Sequence, residues 1–122
     1  MNSCGGPWAF WIEVKGAQTP VTPEQIDMGE RMWAAEVPWF VARHPSDLDT
    51  IFETVGFPTA DMDFRGEYSK ESEVQKAIKT ILKMRGFQII DTSQGFRPGG
   101  KRHGSTRITK GTPDLYVWRK AL

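Results

Sequence analysis

The segment from Trp8 to Lys15, WAFWIEVK, constrains the fold of this chain more than any other. It is rich in aromatic and β-branched residues and alternates with a period of two, which is typical of a β-strand. The alternation puts four apolar side chains on one face: Trp8, Phe10, Ile12 and Val14. Trp11 shares the other face with Glu13 and Lys15. Because both faces carry large apolar groups, the segment predicts a buried central strand.

Three segments predict helices. The first begins at Thr22-Pro23-Glu24-Gln25, with threonine as N-cap, proline at N1 and glutamine at N3, and it runs to about Glu36. The second is capped by Ser46 and ended by Gly56. The clearest helix runs from Lys70 to Arg85. Its apolar stripe consists of Val74, Ala77, Ile78, Ile81 and Leu82.

Residues 39–43, 87–90 and 114–119 predict three further strands, and residues 58–69 have the polar composition of a linker. Helical and strand segments therefore alternate along the chain. This order predicts an α/β fold in which helices flank a mixed central sheet. The length of 122 residues fits a single domain, 1–122.

Composition limits where this chain can work. The chain has one cysteine, which cannot form an internal disulfide and fits a reducing, cytoplasmic setting. The longest apolar stretch is too short to span a bilayer, and the first residues lack the basic and apolar regions of a signal peptide. We therefore expect no membrane partner.

Positive charge is concentrated in one part of the chain, although the formal net charge is only +1. Residues 92–107 form a long loop that contains glycine and is uninterrupted by acids. Such a loop is either a solvated surface or a loop that follows phosphates. Its nucleic-acid-binding candidates, with one lysine just beyond it, are Arg97, Lys101, Arg102, Arg107 and Lys110.

Carboxylates at three places are candidates for chemistry. Glu13 and Lys15 share a face of the first strand, where burial requires a partner or a metal, although such pairs are common on exposed strands. Asp114 begins the last strand after Gly-Thr-Pro, which turn chemistry also explains. Glu71 lies along the apolar stripe of its helix, or is simply an acid in a first turn; Glu73 is the alternative. Together, three carboxylates would suit Mg²⁺ or Mn²⁺.

The motifs together resemble the VRR-NUC (virus-type replication-repair nuclease) family of the PD-(D/E)xK nuclease superfamily. The resemblance rests on ESEVQ at 71–75, GTPD at 111–114, Glu13-Val14-Lys15, TPEQ at 22–25 and FVAR at 40–43. It implies a PD-(D/E)xK restriction-endonuclease-like core and covers most of the chain apart from the linker.

The resemblance also implies roles for individual residues. Glu71, Asp114 and Glu13 would be metal ligands, joined by the backbone carbonyl of Val14, and Lys15 would be the catalytic lysine. Two further residues match the family's motifs. Gln25 would support the site, although its capping role explains it equally well. Arg43 would correspond to the arginine of the family's next strand, although an arginine at the end of a strand is commonly a surface residue.

The order of the motifs is circularly permuted relative to that family. The family's N-terminal half corresponds to residues 70–122 and its C-terminal half to residues 7–57, with residues 58–69 joining the old ends. Rejoining Leu122 to Met1 restores the family order, with the strands of Asp114 and Glu13 as neighbours in a hairpin. A domain-swapped dimer would be another way to assemble the same site.

The resemblance implies a Mg²⁺- or Mn²⁺-dependent DNA endonuclease, in a phage or bacterial setting. Small stand-alone members resemble Holliday-junction resolvases, so branched DNA and a homodimer are expected. A restriction-type or nicking nuclease is the second hypothesis. The third is a nucleic-acid-binding module that kept the fold without catalysis.

Overall fold

The computed structural model describes residues 8–58, 68–92 and 111–120. These ranges form a mixed four-stranded sheet and three helices, which confirms the predicted α/β class. The strands and helices in chain order are β1 (Trp8–Val14), α1 (Pro23–Ala34), β2 (Trp39–Ala42), α2 (Asp47–Val55), α3 (Glu71–Met84), β3 (Gln88–Asp91) and β4 (Leu115–Arg119).

The sheet has the strand order β2-β1-β4-β3. β1 is parallel to β2 and antiparallel to β4, and β3 is antiparallel to β4. β1 is therefore an interior strand, as its two apolar faces predicted. Trp8 lies opposite Arg119 in the β1–β4 ladder, so the two ends of the described chain lie beside one another.

The core fills one face of the sheet. The predicted inward face of β1 is buried there, with Phe10, Ile12 and Val14 at 0% exposure. The stripe of α3 and the apolar side of α2 pack against it, and Phe52 stacks on Phe87 with ring centroids 5.8 Å apart. This packing anchors the sheet from one side, and the Glu13 side of β1 meets α1, whose Gln25 donates to Glu13.

The helices begin close to where the sequence predicts, but one cap differs. Ser46 precedes α2 without capping it, because its hydroxyl contacts the Nδ1 atom of His44 instead. The Asp47 carboxylate makes the local contacts and accepts from the backbone N–H groups of Arg43 (2.7 Å) and His44 (3.2 Å). Ser46 is thus the N-cap residue, as predicted, but its side chain does not cap the helix, whose first N–H groups at Leu48 and Asp49 donate to the carbonyls of Pro45 and Ser46.

The other boundaries deviate by one or two residues. α1 ends at Ala34 rather than Glu36, because Glu36 adopts a left-handed backbone conformation with φ 65°. α2 ends at Gly56 in the left-handed conformation, as predicted. Most of the predicted linker, residues 59–67, and most of the basic loop lie outside the described residues. No helix of the described ranges is long and apolar enough to cross a bilayer.

Candidate active site

β1 and β4 bring Glu13 and Asp114 side by side. The antiparallel pairing of these strands reaches Ile12 opposite Leu115, and the next position in that register sets Glu13 opposite Asp114. Directly opposite residues of an antiparallel pair project from the same face. The Val14 N–H donates to Asp114 Oδ2 at 2.8 Å, which fixes that carboxylate at the end of the ladder. The prediction that the two acids lie on neighbouring strands is confirmed.

The turn that carries Asp114 is held on two sides. Gly111 has φ 91°, and a Cβ there would lie only 2.6 Å from the Glu24 carbonyl oxygen, so the turn requires glycine. On the other side, the Thr92 N–H donates to the Asp114 carbonyl at 2.8 Å, and its hydroxyl donates to the Pro113 carbonyl at 2.5 Å. Sequence reasoning missed Thr92, whose role depends on the pairing of β3 with β4.

Glu13 is almost completely buried, with 1% of its surface exposed. Its Oε2 atom accepts a hydrogen bond from Gln25 Nε2 at 2.7 Å and lies 3.7 Å from Lys15 Nζ. Its Oε1 atom is buried without a hydrogen-bond partner. A buried carboxylate oxygen that accepts nothing is costly, so a proton or a cation is needed there.

Burial and a neighbouring carboxylate raise the pKa of Glu13 and of Asp114. Burial, and next the charge of Asp114, raise the pKa of Glu13 from 4.5 to about 8, against the opposing attraction of Lys15. Burial likewise raises the pKa of Asp114; the charge of Glu71 adds to this, whereas the Val14 N–H and Lys15 oppose it. A proton on Glu13 can also be donated to Asp114, so at neutral pH the pair holds on to a proton.

Gln25 takes part in both the helix cap and the site. Its Oε1 accepts from the Thr22 N–H at 2.9 Å, and the Thr22 hydroxyl accepts from the Gln25 N–H at 3.2 Å, which completes a capping box. The amide nitrogen of the same side chain donates to Glu13. The two predicted roles therefore do not compete, because each end of the amide has its own partner.

Glu71, rather than Glu73, lies close enough to Glu13 and Asp114 for its charge to affect them. Glu73 is exposed, and its Oε1 accepts from the Lys70 N–H at 3.4 Å as part of the helix start. Glu71 is half-buried, and its charge raises the pKa of both Glu13 and Asp114. The end of β1 approaches α3 closely, since a Cβ on Gly16 would lie 3.3 Å from the Glu71 nitrogen.

Lys15 and Arg43 have different surroundings. Lys15 is 6% exposed, and its ammonium lies beside Glu13 within the site. Arg43 Nη1 donates to the carbonyls of Gly16 (2.8 Å) and Thr19 (2.7 Å), so it holds the loop that follows Lys15. Arg43 therefore supports the site through the backbone, and none of its described hydrogen bonds reaches Glu13, Asp114 or Glu71.

The fit of this cluster to a divalent ion is partial. In the described ranges, no three His, Cys, Asp or Glu side chains stand in positions to hold one metal ion together. The carboxyl groups of Glu13 and Asp114 do lie within hydrogen-bonding reach of each other, and Glu13 Oε1 has no donor, so hard oxygen donors are available there. Ligation by Glu71 as well would require its side chain to turn toward that pair.

A second polar cluster lies outside the predicted site. The Asp91 carboxylate at the end of β3 accepts from Lys79 Nζ at 2.6 Å and from Gln75 Nε2 at 2.9 Å, both on α3. This ion pair ties β3 to α3 next to Thr92. Its residues lie in different segments, so only the three-dimensional structure brings them together.

The predicted phosphate-contacting residues of the basic segment, Arg97 to Lys110, lie outside the described residues. No family model, curated protein or solved structure matches the chain. The family resemblance therefore remains a prediction from the sequence motifs.

Proposed function

We propose that this protein is a divalent-metal-dependent DNA endonuclease with a VRR-NUC-like, circularly permuted PD-(D/E)xK site. The pairing of the buried Glu13 with the half-buried Asp114, in which one oxygen of Glu13 lacks any donor, is the observation that carries the proposal. A buried Glu13 beside the half-buried Asp114 disfavours the metal-free fold near neutral pH. A bound cation would offset this electrostatic cost, so the pair is explained if the two acids serve to hold a cation.

Glu13, Asp114 and Glu71 are the side chains proposed to hold Mg²⁺ or Mn²⁺, with the Val14 carbonyl as a further oxygen ligand. All four donors are hard oxygens, which suits these ions. A bound ion would supply Lewis acidity toward a phosphodiester and neutralise the charge that builds up on it.

Gln25 and Lys15 are proposed to position the carboxylates and the reacting groups. Gln25 fixes Glu13 by holding Oε2, which leaves Oε1 for the ion. Lys15, the proposed catalytic residue, carries the cationic group beside these carboxylates. Its ammonium would orient the attacking water or stabilise a phosphate oxygen during hydrolysis.

Structure-specific cleavage of branched DNA, by a homodimer whose two sites cut two strands, is the leading form of this proposal. The support for it is the motif resemblance. A restriction-type or nicking nuclease would use the same site on linear or plasmid DNA. A non-catalytic binding module is less well supported, because Glu13, Asp114, Glu71 and Lys15 are all present. A cytoplasmic bacterial or phage setting belongs to the same proposal.

Cleavage of four-way, flap and linear DNA in Mg²⁺ tests the proposal. Glu13→Gln should abolish cleavage, and the matched control Glu73→Gln, which changes an exposed acid, should not. Discrete bands from a plasmid substrate would favour the hypothesis of a restriction-type nuclease. Equal cleavage by wild type and Glu13→Gln would overturn the proposed chemistry, and absence of Mn²⁺ binding by calorimetry would favour the binding module.

A further inference from the structure

A row of apolar side chains crosses the sheet directly beside Glu13 and Asp114. The strand register sets Trp11 opposite Tyr116, and Tyr116 opposite Ile90. Trp11 is two residues from Glu13 and Tyr116 is two residues from Asp114, so both lie on the face that carries these acids. Ile90 shares that face because it lies directly opposite Tyr116. A two-residue step along a strand is about 7 Å. The row is therefore one short step from the site.

The rings of this row form a continuous aromatic surface. Trp11 and Tyr116 have centroids 4.8 Å apart, and Tyr116 stacks on Trp118 at 5.6 Å with an interplanar angle of 26°. All three rings are only half-buried, and Ile90 is 51% exposed. We use the name aromatic row for Trp11, Tyr116, Trp118 and Ile90. Large apolar groups left open to water in one contiguous strip mark a binding surface.

The far end of the aromatic row opens into a depression of about 340 Å³. Ala9 lies opposite Trp118, and its small side chain leaves room beside the indole. Arg119 and Lys120 also line the depression, and none of the described residues that line it carries a carboxylate. Arg119 is already placed over the Phe57 ring, so Lys120 is the cation left for an anionic partner.

We propose that the aromatic row binds unpaired nucleobases of a DNA strand whose phosphate lies at Glu13 and Asp114. This inference rests on the proposed function and specifies its substrate as DNA with a single-stranded segment beside the cut. Every nucleobase offers a flat face to an aromatic ring, so the row would bind without sequence preference. The strand's phosphates would meet Lys15 at one end and Lys120 at the other.

The chemistry of the surface favours this partner over a protein. A second copy of the chain would cover the row through apolar area alone and would bring the same positive charge of Lys120 to the contact. A polyanion with flat bases matches both the rings and the charge. The two cases differ in one testable respect: stacking requires a ring, whereas apolar contact does not.

Binding of two labelled strands in metal-free buffer, measured by fluorescence anisotropy, tests the inference. One strand is oligodeoxythymidine of about 12 nucleotides, within the range of known site sizes. The other is an abasic strand of equal length. Wild type should bind the strand with bases about 5-fold to 100-fold more tightly, as stacking of one base on an aromatic ring predicts.

Variants of Tyr116 identify the ring as the cause. Tyr116→Leu keeps apolar area and should remove most of the preference for bases, whereas Tyr116→Phe should retain it. Ile90→Glu serves as a second probe if Tyr116→Leu does not fold, because Ile90 is largely exposed; it should weaken binding of both strands through charge repulsion. Met84→Glu is its control, at a residue 78% exposed on α3. Circular dichroism verifies folding.

Equal binding of the two strands by wild type, or an unchanged preference in Tyr116→Leu, would overturn the inference. A change only in self-association of Tyr116→Leu, seen by sedimentation, would assign the row to a second copy and overturn it as well. Glu13→Gln should lose cleavage but keep the preference for bases. If wild type shows that preference without any cleavage, the nuclease proposal fails and the aromatic row stands. If cleavage depends on Glu13 but the preference for bases is absent, the nuclease proposal stands and the inference about the aromatic row fails.

Discussion

Replacing Glu13 with glutamine should stabilise the metal-free protein at neutral pH. Glutamine has the shape of glutamate, and its carbonyl oxygen can accept the hydrogen bond from Gln25. It removes the buried group whose pKa is raised from 4.5 to about 8. The substitution therefore relieves an electrostatic cost with little change in packing.

The size of the effect follows from the two pKa values of Glu13. In the unfolded chain the carboxyl loses its proton near pH 4.5, whereas in the folded protein it keeps the proton until about pH 8. Between these values the folded state binds more protons, so the free energy of unfolding falls as pH rises, and above pH 8 it levels off. At pH 7 the cost is about 3 kcal/mol, and at pH 5 it is below about 1 kcal/mol.

Urea unfolding followed by circular dichroism, in EDTA at pH 5, 6, 7 and 8, measures this difference. The advantage of Glu13→Gln over wild type should grow from pH 5 to pH 8, and Mg²⁺ should stabilise wild type more than the variant. Glu73→Gln is the control, because Glu73 is exposed. If the variant is less stable than wild type at pH 7, or if the difference does not change with pH, then the buried Glu13 carboxyl does not destabilise the metal-free protein.

Three further substitutions test the surroundings of the site. Gln25→Glu keeps the capping acceptor but replaces the donor to Glu13 with a carboxylate, so cleavage should be about tenfold slower or worse at unchanged helix content; full activity would deny Gln25 a role in the site. Gly111→Ala should cost about 1–3 kcal/mol in thermal unfolding, because φ is 91° and the Glu24 carbonyl is in the way; an unchanged melting temperature would contradict the described turn. Lys15→Gln should slow cleavage by about 100-fold or more while Mn²⁺ still binds in calorimetry, and unaltered rates would remove Lys15 from the catalytic group.

Local signals account for the part of the fold that the sequence predicts well. The alternation in β1 and the capping box at Thr22 and Gln25 depend on neighbours within a few residues, and both are observed. The buried stripe of α3 follows from its period of 3.6 in the same way. That Glu13 and Asp114 lie on neighbouring strands could be predicted only by joining the two chain ends, because about 100 residues separate the two acids in sequence.

Non-local contacts account for what the sequence did not reveal. Thr92 supports Asp114 because β3 pairs with β4, and no local pattern contains that register. Ser46 has the right residue type for a cap, yet its hydroxyl contacts His44 Nδ1, and the first helical N–H groups donate to backbone carbonyls instead. The alignment of Trp11 with Tyr116 likewise depends on strand register. Sequence motifs thus named the acids but not the scaffold that positions them.

The most direct test of a metal site is a crystal structure of the protein soaked in Mn²⁺, with anomalous diffraction data. We expect an anomalous peak between Glu13 and Asp114, with the Glu71 side chain turned toward the ion. We also expect that the peak is lost in Glu13→Gln. A peak elsewhere, or none at these carboxylates in a well-ordered soaked crystal, would contradict the proposal that this pair exists to hold a divalent cation.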